Sequence, residues 1–265
     1  MHCDVNVLFA ELWQDYIKMT PSAANIHQLL GDGADIINDH IALRTFNIAS
    51  VNLAVLAKHF IAIGYVDCGD YHFEKKKLVA KHFEHPDPSQ PKVFISELMV
   101  EEFSPQLQAT VKGLVAQMDV SAVTADNFLY SGRHWDLDLA TYQALLAESE
   151  YAAWVAALGY RANHFTVSIN DLPDFDDIES VNLKLKEAGF ILNSAGGEVK
   201  GSKAVLLEQS STMADRMVVK FSDAELEIPS CFYEFAKRYP LENGKLYTGF
   251  VAASADKIFE STNAM

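Results

Sequence analysis

Apolar and polar residues alternate with period two over 39–46. Ile41, Leu43 and Thr45 fall on one side of an extended chain, and His40, Ala42, Arg44 and Phe46 on the other. The alternation returns at 163–170, with Phe165, Val167 and Ile169 opposed to His164, Thr166, Ser168 and Asn170. Each strand leads through Val-Asn-Leu, at 51–53 and 181–183, into a stretch with helical spacing. Each helix stops at a glycine followed by an aromatic residue, Gly64-Tyr65 and Gly189-Phe190. Both strands open with a short acid or amide before histidine, Asp39-His40 and Asn163-His164. The same order at a nearly constant offset marks an internal repeat.

Strand-like sequence follows each Gly-aromatic pair. The first copy predicts strands at 65–73, 78–85 and 92–100, with Pro86, Pro88 and Pro91 in the last loop. The second predicts strands at 190–194, 203–210, 216–221 and 228–235, with turns at Ser194-Ala195-Gly196-Gly197 and Gly201-Ser202. Two βαβββ modules are therefore expected, over 35–100 and 161–240. Outside them, 4–31 has helical spacing through Leu8, Leu12, Tyr16 and Ile17. The segment 104–160 predicts a helical insertion, with helices over 105–118 and 139–158. Pro105 and Thr141 stand near the starts and Gly159 follows the end. The tail after Tyr247 reads as irregular. The expected class is α+β, with the paired modules forming one cupped mixed or antiparallel sheet in a single domain over 1–265.

Composition narrows the function. The 265 residues are 49% hydrophobic, enough to bury a sizeable core. The net charge of −15 opposes nucleic acid as the main partner, because a phosphate backbone needs a clustered basic surface. The densest basic run, Lys75-Lys76-Lys77 with Lys81, reads as a solvated strand edge or turn. An anionic substrate must then be captured locally, by a buried Arg or a metal. Three cysteines, Cys3, Cys68 and Cys231, form no C-x-x-C pair and suit a reducing compartment. No signal-like start and no bilayer-length apolar run are present, so a soluble cytoplasmic protein without a membrane partner is expected.

The candidate chemistry lies on the polar faces of the two histidine strands. His40 and His164 occupy equivalent repeat positions and become neighbours if the modules pair around a pseudo-twofold. Imidazoles ligate first-row divalent metals. Glu234 is the best carboxylate to join them, because a charge among Phe232, Tyr233 and Phe235 is costly to bury without a cation. Glu97, in Ile95-Ser96-Glu97-Leu98, is the rival, as a ligand, as a partner orienting a histidine or as a structural salt-bridge member. Arg44 shares the His40 face, ~13 Å along the strand, and is placed to grip a carboxylate at two points. His82-Phe83-Glu84-His85 resembles a metal motif locally, but its two histidines fall on opposite strand faces and it reads as surface.

Paired βαβββ modules, each headed by histidine and with a late-strand glutamate, resemble the vicinal oxygen chelate superfamily. Within it, Asp39-His40-Ile41-Ala42-Leu43-Arg44-Thr45-Phe46, Gly64-Tyr65, Ile95-Ser96-Glu97-Leu98 and Asn163-His164-Phe165-Thr166 resemble the 2-oxoadipate dioxygenase/decarboxylase family. The likeness covers roughly residues 5–240. It implies a non-haem Fe(II), with other divalent metals as alternatives, held by His40, His164 and Glu234. It further implies Arg44 on the far carboxylate of the substrate. A 2-oxo acid and O₂ would be the partners, with CO₂ and a 2-hydroxy acid as products (2-hydroxyglutarate from 2-oxoadipate, in lysine catabolism). Two histidines and one carboxylate leave positions for a chelating 2-oxo acid and O₂, and Thr166 and Ser168 are placed to hydrogen-bond the chelating head. Two alternatives remain at this level: a glyoxalase-type isomerase or hydrolase using another divalent metal, and a metal-free binding protein on the same scaffold.

Overall fold

The Asp4 side chain accepts from the N–H groups of Asn6 and Val7 and starts α1 (Val5–Met19). Pro21 lacks an N–H and cannot continue that helix, so it opens α2 (Pro21–Gly31) instead. The helical segment expected over 4–31 is thus two helices, with Leu8, Leu12 and Tyr16 of the first buried. The computed structural model describes residues 1–31 and 35–262.

The first repeat copy comprises β1 (Asn38–Phe46), α3 (Leu53–Ile61), β2 (Val66–Phe73), β3 (Leu78–Glu84) and β4 (Lys92–Leu98). The predicted strands match these closely, and Asn52 of Val-Asn-Leu caps α3 by accepting from Val55 N–H. The insertion holds α4 (Pro105–Val115), α5 (Leu139–Glu148) and α6 (Glu150–Leu158). Ser104 caps α4 with Pro105 behind it, and Asp138 caps α5 through the Thr141 amide. The helix predicted over 139–158 breaks at Ser149, whose side chain accepts from Ala152 N–H and restarts the chain as α6. Every residue from Tyr151 to Leu158 is buried, so α6 is core.

The second copy comprises β5 (Ala162–Ser168), α7 (Ile178–Glu187), β6 (Lys200–Ser202), β7 (Leu207–Ser211), β8 (Arg216–Lys220), β9 (Glu225–Pro229) and β10 (Phe232–Arg238). Gly64 and Gly189 have φ of +104° and +88°, which explains the repeated glycine at both helix ends. The prediction is looser here. No strand forms over 190–194; Leu192 makes a single bridge to Thr212. The strand expected over 228–235 is two strands, parted at Ser230-Cys231, where Ser230 Oγ donates to Met19 O. The tail also departs from expectation: it folds back as α8 (Ala252–Ile258) and a 3-10 turn over Phe259–Thr262.

Eight strands form one sheet in the order β2-β3-β4-β1-β5-β10-β7-β6, and β8 and β9 pair apart as a hairpin. The modules meet at the antiparallel β1–β5 pair. Each then continues outward through a parallel neighbour, β4 beside β1 and β10 beside β5. This mirrored order places the two histidine strands at the centre. The face bearing Ile41, Leu43, Phe165 and Val167 is buried, with Tyr16 and Trp13 of α1 packed on Phe165. Across the opposite, cupped face lies α8, in contact with edge strand β2 on one side and with β6 and β7 on the other.

Candidate metal centre

Strand register builds the site. His40 pairs with Thr166 across β1–β5, and Thr166 pairs with Glu234 across β5–β10. Side chains in one such row project from the same face. His164 lies two residues before Thr166 on that face, paired with Ala42. The result is a buried cluster of His40, His164 and Glu234 whose donor atoms lie within 4.8 Å of one another. His40 Nε2 is 3.5 Å from Glu234 Oε1, and His164 Nε2 is 3.3 Å from Glu234 Oε2. The two rings stand nearly perpendicular, with centroids 5.6 Å apart.

The outer partners fix each ligand. His40 Nδ1 lies 2.7 Å from Asp39 Oδ2, and Arg238 donates to both Asp39 oxygens at 2.6 and 2.8 Å. Burial works against the Asp39 charge, yet Arg238 and His40 outweigh it and hold the carboxyl well below its usual range. His164 Nδ1 lies 3.1 Å from Asn163 Oδ1. Both Nε2 atoms therefore turn inward as acceptors, the tautomer a metal needs. Burial lowers the His40 pKa, partly opposed by Asp39, and lowers that of His164 further, helped by the charges of His40 and Arg44. Both imidazoles are neutral near pH 7.

Glu234 is 1% exposed, so it does not lie on a water-facing rim. Gln209 donates to its Oε1 at 2.6 Å. Among the described residues its Oε2 has no hydrogen-bond partner, since a His164 Nε2 turned inward as an acceptor has no proton to donate. Burial pushes this carboxyl up to about 8, with Gln209 opposing. Two neutral imidazoles and a buried carboxylate with an orphaned oxygen fit a divalent cation, which would supply the missing partner and hold the carboxylate charged.

The other expected residues separate. Thr166 Oγ1 lies 3.1 Å from His40 Nε2, at the site. Ser168 turns away and donates to Asp171 Oδ2 at 2.6 Å. Glu97 stands apart from the cluster: it aligns with Thr45 on the other sheet face, and its Oε2 accepts from Leu53 N–H at the start of α3. Arg44 is buried. Its guanidinium meets Glu150 Oε1 at 3.1 Å and Thr262 Oγ1 at 3.2 Å, over the rings of Tyr151 and Trp154.

Sequence reasoning missed Gln209, Arg238 and the closing residues Phe94, Phe250 and Ile258. The last three line the cavity beside the ligands with His40, His164, Gln209 and Glu234. Phe250 stands edge-on to His40, centroids 4.8 Å apart. The cavity holds about 20 Å³, room for about one water. Arg238 carried a partial signal, since the acid before His40 needs a cation when buried. The tail residues carried none.

The sequence model of the 2-oxoadipate dioxygenase/decarboxylase family matches residues 8–132 and again 122–246. The chain belongs to this family. The chloroplastic/amyloplastic 2-oxoadipate dioxygenase/decarboxylase of Oryza sativa is 36% identical over 275 residues, covering 94% of this chain and 76% of the relative. Among solved structures, the Oryza sativa hydroxyglutarate synthase in complex with 2-oxoadipate superposes with a TM-score of 0.89 at 34% identity. It covers 97% of this chain and 91% of that one. A Shewanella frigidimarina protein, described no further than as a hydrolase, superposes with a TM-score of 0.93 at 79% identity, covering 96% and 100%. The two family matches overlap over residues 122–132. Among the described residues, no helix is long and apolar enough to cross a membrane.

Proposed function

We propose that the chain is an Fe(II)-dependent dioxygenase that decarboxylates a 2-oxo dicarboxylic acid such as 2-oxoadipate. The products are CO₂ and the 2-hydroxy acid one carbon shorter, 2-hydroxyglutarate, which account for every atom of the oxo acid and O₂. The buried His40, His164 and Glu234 set, with an orphaned carboxylate oxygen, carries the reading. Family membership and the 2-oxoadipate complex of the Oryza sativa relative support it. When bound, iron supplies a redox-active Lewis acid with positions open to both O₂ and a 2-oxo acid.

The chain's own residues position and protect. Asp39 and Asn163 hold the ring orientations of His40 and His164. Thr166 is placed to hydrogen-bond the substrate head beside His40. Arg44 is assigned to the far carboxylate, exchanging its Glu150 contact for a two-point grip on the substrate. Phe250 and Ile258 wall in a cavity of only about 20 Å³, so the tail must withdraw for a dicarboxylic acid to enter and can return to exclude water.

The test is anaerobic reconstitution with Fe(II), followed by O₂ uptake with 2-oxoadipate and a panel of other 2-oxo acids. Uptake matched one-to-one by CO₂ and 2-hydroxyglutarate is expected. No uptake with any 2-oxo acid would sink the proposal. Arg44→Met is expected to raise KM for dicarboxylic substrates more than for monocarboxylic ones; equal effects on both would remove the clamp. The hydrolase description of the Shewanella frigidimarina protein favours a second reading, a metal-dependent hydrolase. Turnover that proceeds without O₂ would select it.

A further inference from the structure

The motif His82-Phe83-Glu84-His85, read from sequence as surface, contains a buried histidine: His82 is 2% exposed. It stands beside an irregularity in the first module. Asp67 pairs with Phe83 and Gly69 with His82, so Cys68 is an extra residue in β2, a β-bulge. Bulges re-aim side chains. This one brings the Cys68 thiol to the β3 face that carries His82 and Glu84, two residues apart. The sulfur, an imidazole nitrogen and a carboxylate oxygen lie within 4.8 Å of one another.

The imidazole is supported on its far side. Tyr71 Oη lies 2.9 Å from His82 Nδ1 and accepts from Phe250 N–H at 3.1 Å. His82 Nε2 faces Glu84 Oε1 at 3.0 Å. Opposite the ring is Gly69, where an added Cβ would sit 2.9 Å from His82 Nδ1. Only glycine leaves that room. The neighbouring acids Asp67 and Asp70 are already paired with Lys81, each at 2.6 Å. A histidine held through one nitrogen, with the other aimed at a carboxylate beside a thiol, has the outer support typical of metal-ligating histidines.

We propose that Cys68, His82 and Glu84 form a second cation site, for a divalent ion of the zinc class, separate from the His40, His164 and Glu234 centre. Thiolate, imidazole and carboxylate together match such an ion, with a fourth position left for water. Binding displaces the Cys68 thiol proton to solvent, and His82 Nδ1–H then donates to Tyr71 Oη. The site is open to solvent through Cys68, which is exposed.

Cobalt(II) is the probe, because ligation by a thiolate gives a near-ultraviolet charge-transfer band that a nitrogen–oxygen site does not. Titrating the full-length protein is expected to raise this band with one equivalent bound through sulfur. Cys68→Ser should abolish it and Cys3→Ser leave it intact. Zinc should displace the cobalt. Zinc affinity should fall in Cys68→Ser and Glu84→Gln by more than about tenfold, the least that loss of even an outer partner costs. Absence of a sulfur band in the wild type, or its survival in Cys68→Ser, would overturn the site. Cys68 is exposed, so its serine variant is expected to fold, and unchanged circular dichroism checks this.

Discussion

The two histidine strands, β1 and β5, occupy equivalent places in the repeat but hold their ligands differently. His40 leans on a carboxylate, Asp39, which is clamped by the buried Arg238. His164 leans on the neutral amide of Asn163. A charged partner makes an imidazole a stronger donor and fixes its tautomer, so the repeat gives the two histidines matching positions but unequal electrostatic support. Arg238 extends the difference. It also donates to the backbone carbonyls of Tyr247 and Gly249, tying the His40 side of the centre to the tail that covers it.

Removing a ligand gives the largest effect. His164→Ala should cost metal affinity well beyond the ~10–100-fold that an outer partner is worth, measured by anaerobic calorimetric titration with Fe(II). Asp39→Asn comes next, with affinity down by about 10–100-fold. It also leaves Arg238 buried without its partner charge, at a cost of about 3–5 kcal/mol in urea unfolding. Asn163→Ala should do least among these, a loss under about tenfold in affinity and ~1 kcal/mol in stability, the worth of one neutral hydrogen bond. Equal losses in Asp39→Asn and Asn163→Ala would erase the asymmetry between the strands.

A pH series sharpens the comparison on the carboxylate side. In the folded, metal-free protein burial raises the Glu234 pKa from 4.5 to about 8. Between those values the folded state holds a proton that the unfolded chain has released, so stability falls as pH rises. Below pH ~6.5 the two buried neutral histidines act in the opposite sense, since the unfolded chain then binds protons they do not. Above about 8, Lys200, pushed down to about 8 by burial, opposes it again. From pH ~6.5 to ~8 the metal-free protein should therefore lose on the order of 2 kcal/mol, a fall in Tm of roughly 4–8 °C. Loading the metal or substituting Glu234→Gln should flatten the slope. A metal-free Tm that is flat across this window would mean that Glu234 is already charged in the empty site.

Much of this was legible in the sequence because it rests on short-range chemistry. Period-two alternation exposed β1 and β5, and repeat position joined His40 to His164. The bulky neighbours of Glu234 marked it as a carboxylate that the fold buries. The remainder depends on pairings far apart in the chain. Asn193 donates to Lys257 O and Ser261 Oγ, so 190–194 anchors the tail and does not extend a ladder. Glu97 stayed open as the rival to Glu234 because only register shows which face it takes, and there it caps the start of α3. Ser168 shares a strand face with His164, but Asp171, three residues on, claims its hydroxyl. His82 looked like surface until the bulge at Cys68 and the Tyr71 hydroxyl gave it partners.

In the proposed reading His40, His164 and Glu234 hold the catalytic metal. Anomalous diffraction at the iron edge, from crystals loaded anaerobically with Fe(II), tests it most directly. A single strong peak within bonding distance of His40 Nε2, His164 Nε2 and a Glu234 carboxylate oxygen is predicted. No peak among these three side chains, or an iron peak held by other residues, would overturn the assignment of the metal to this cluster.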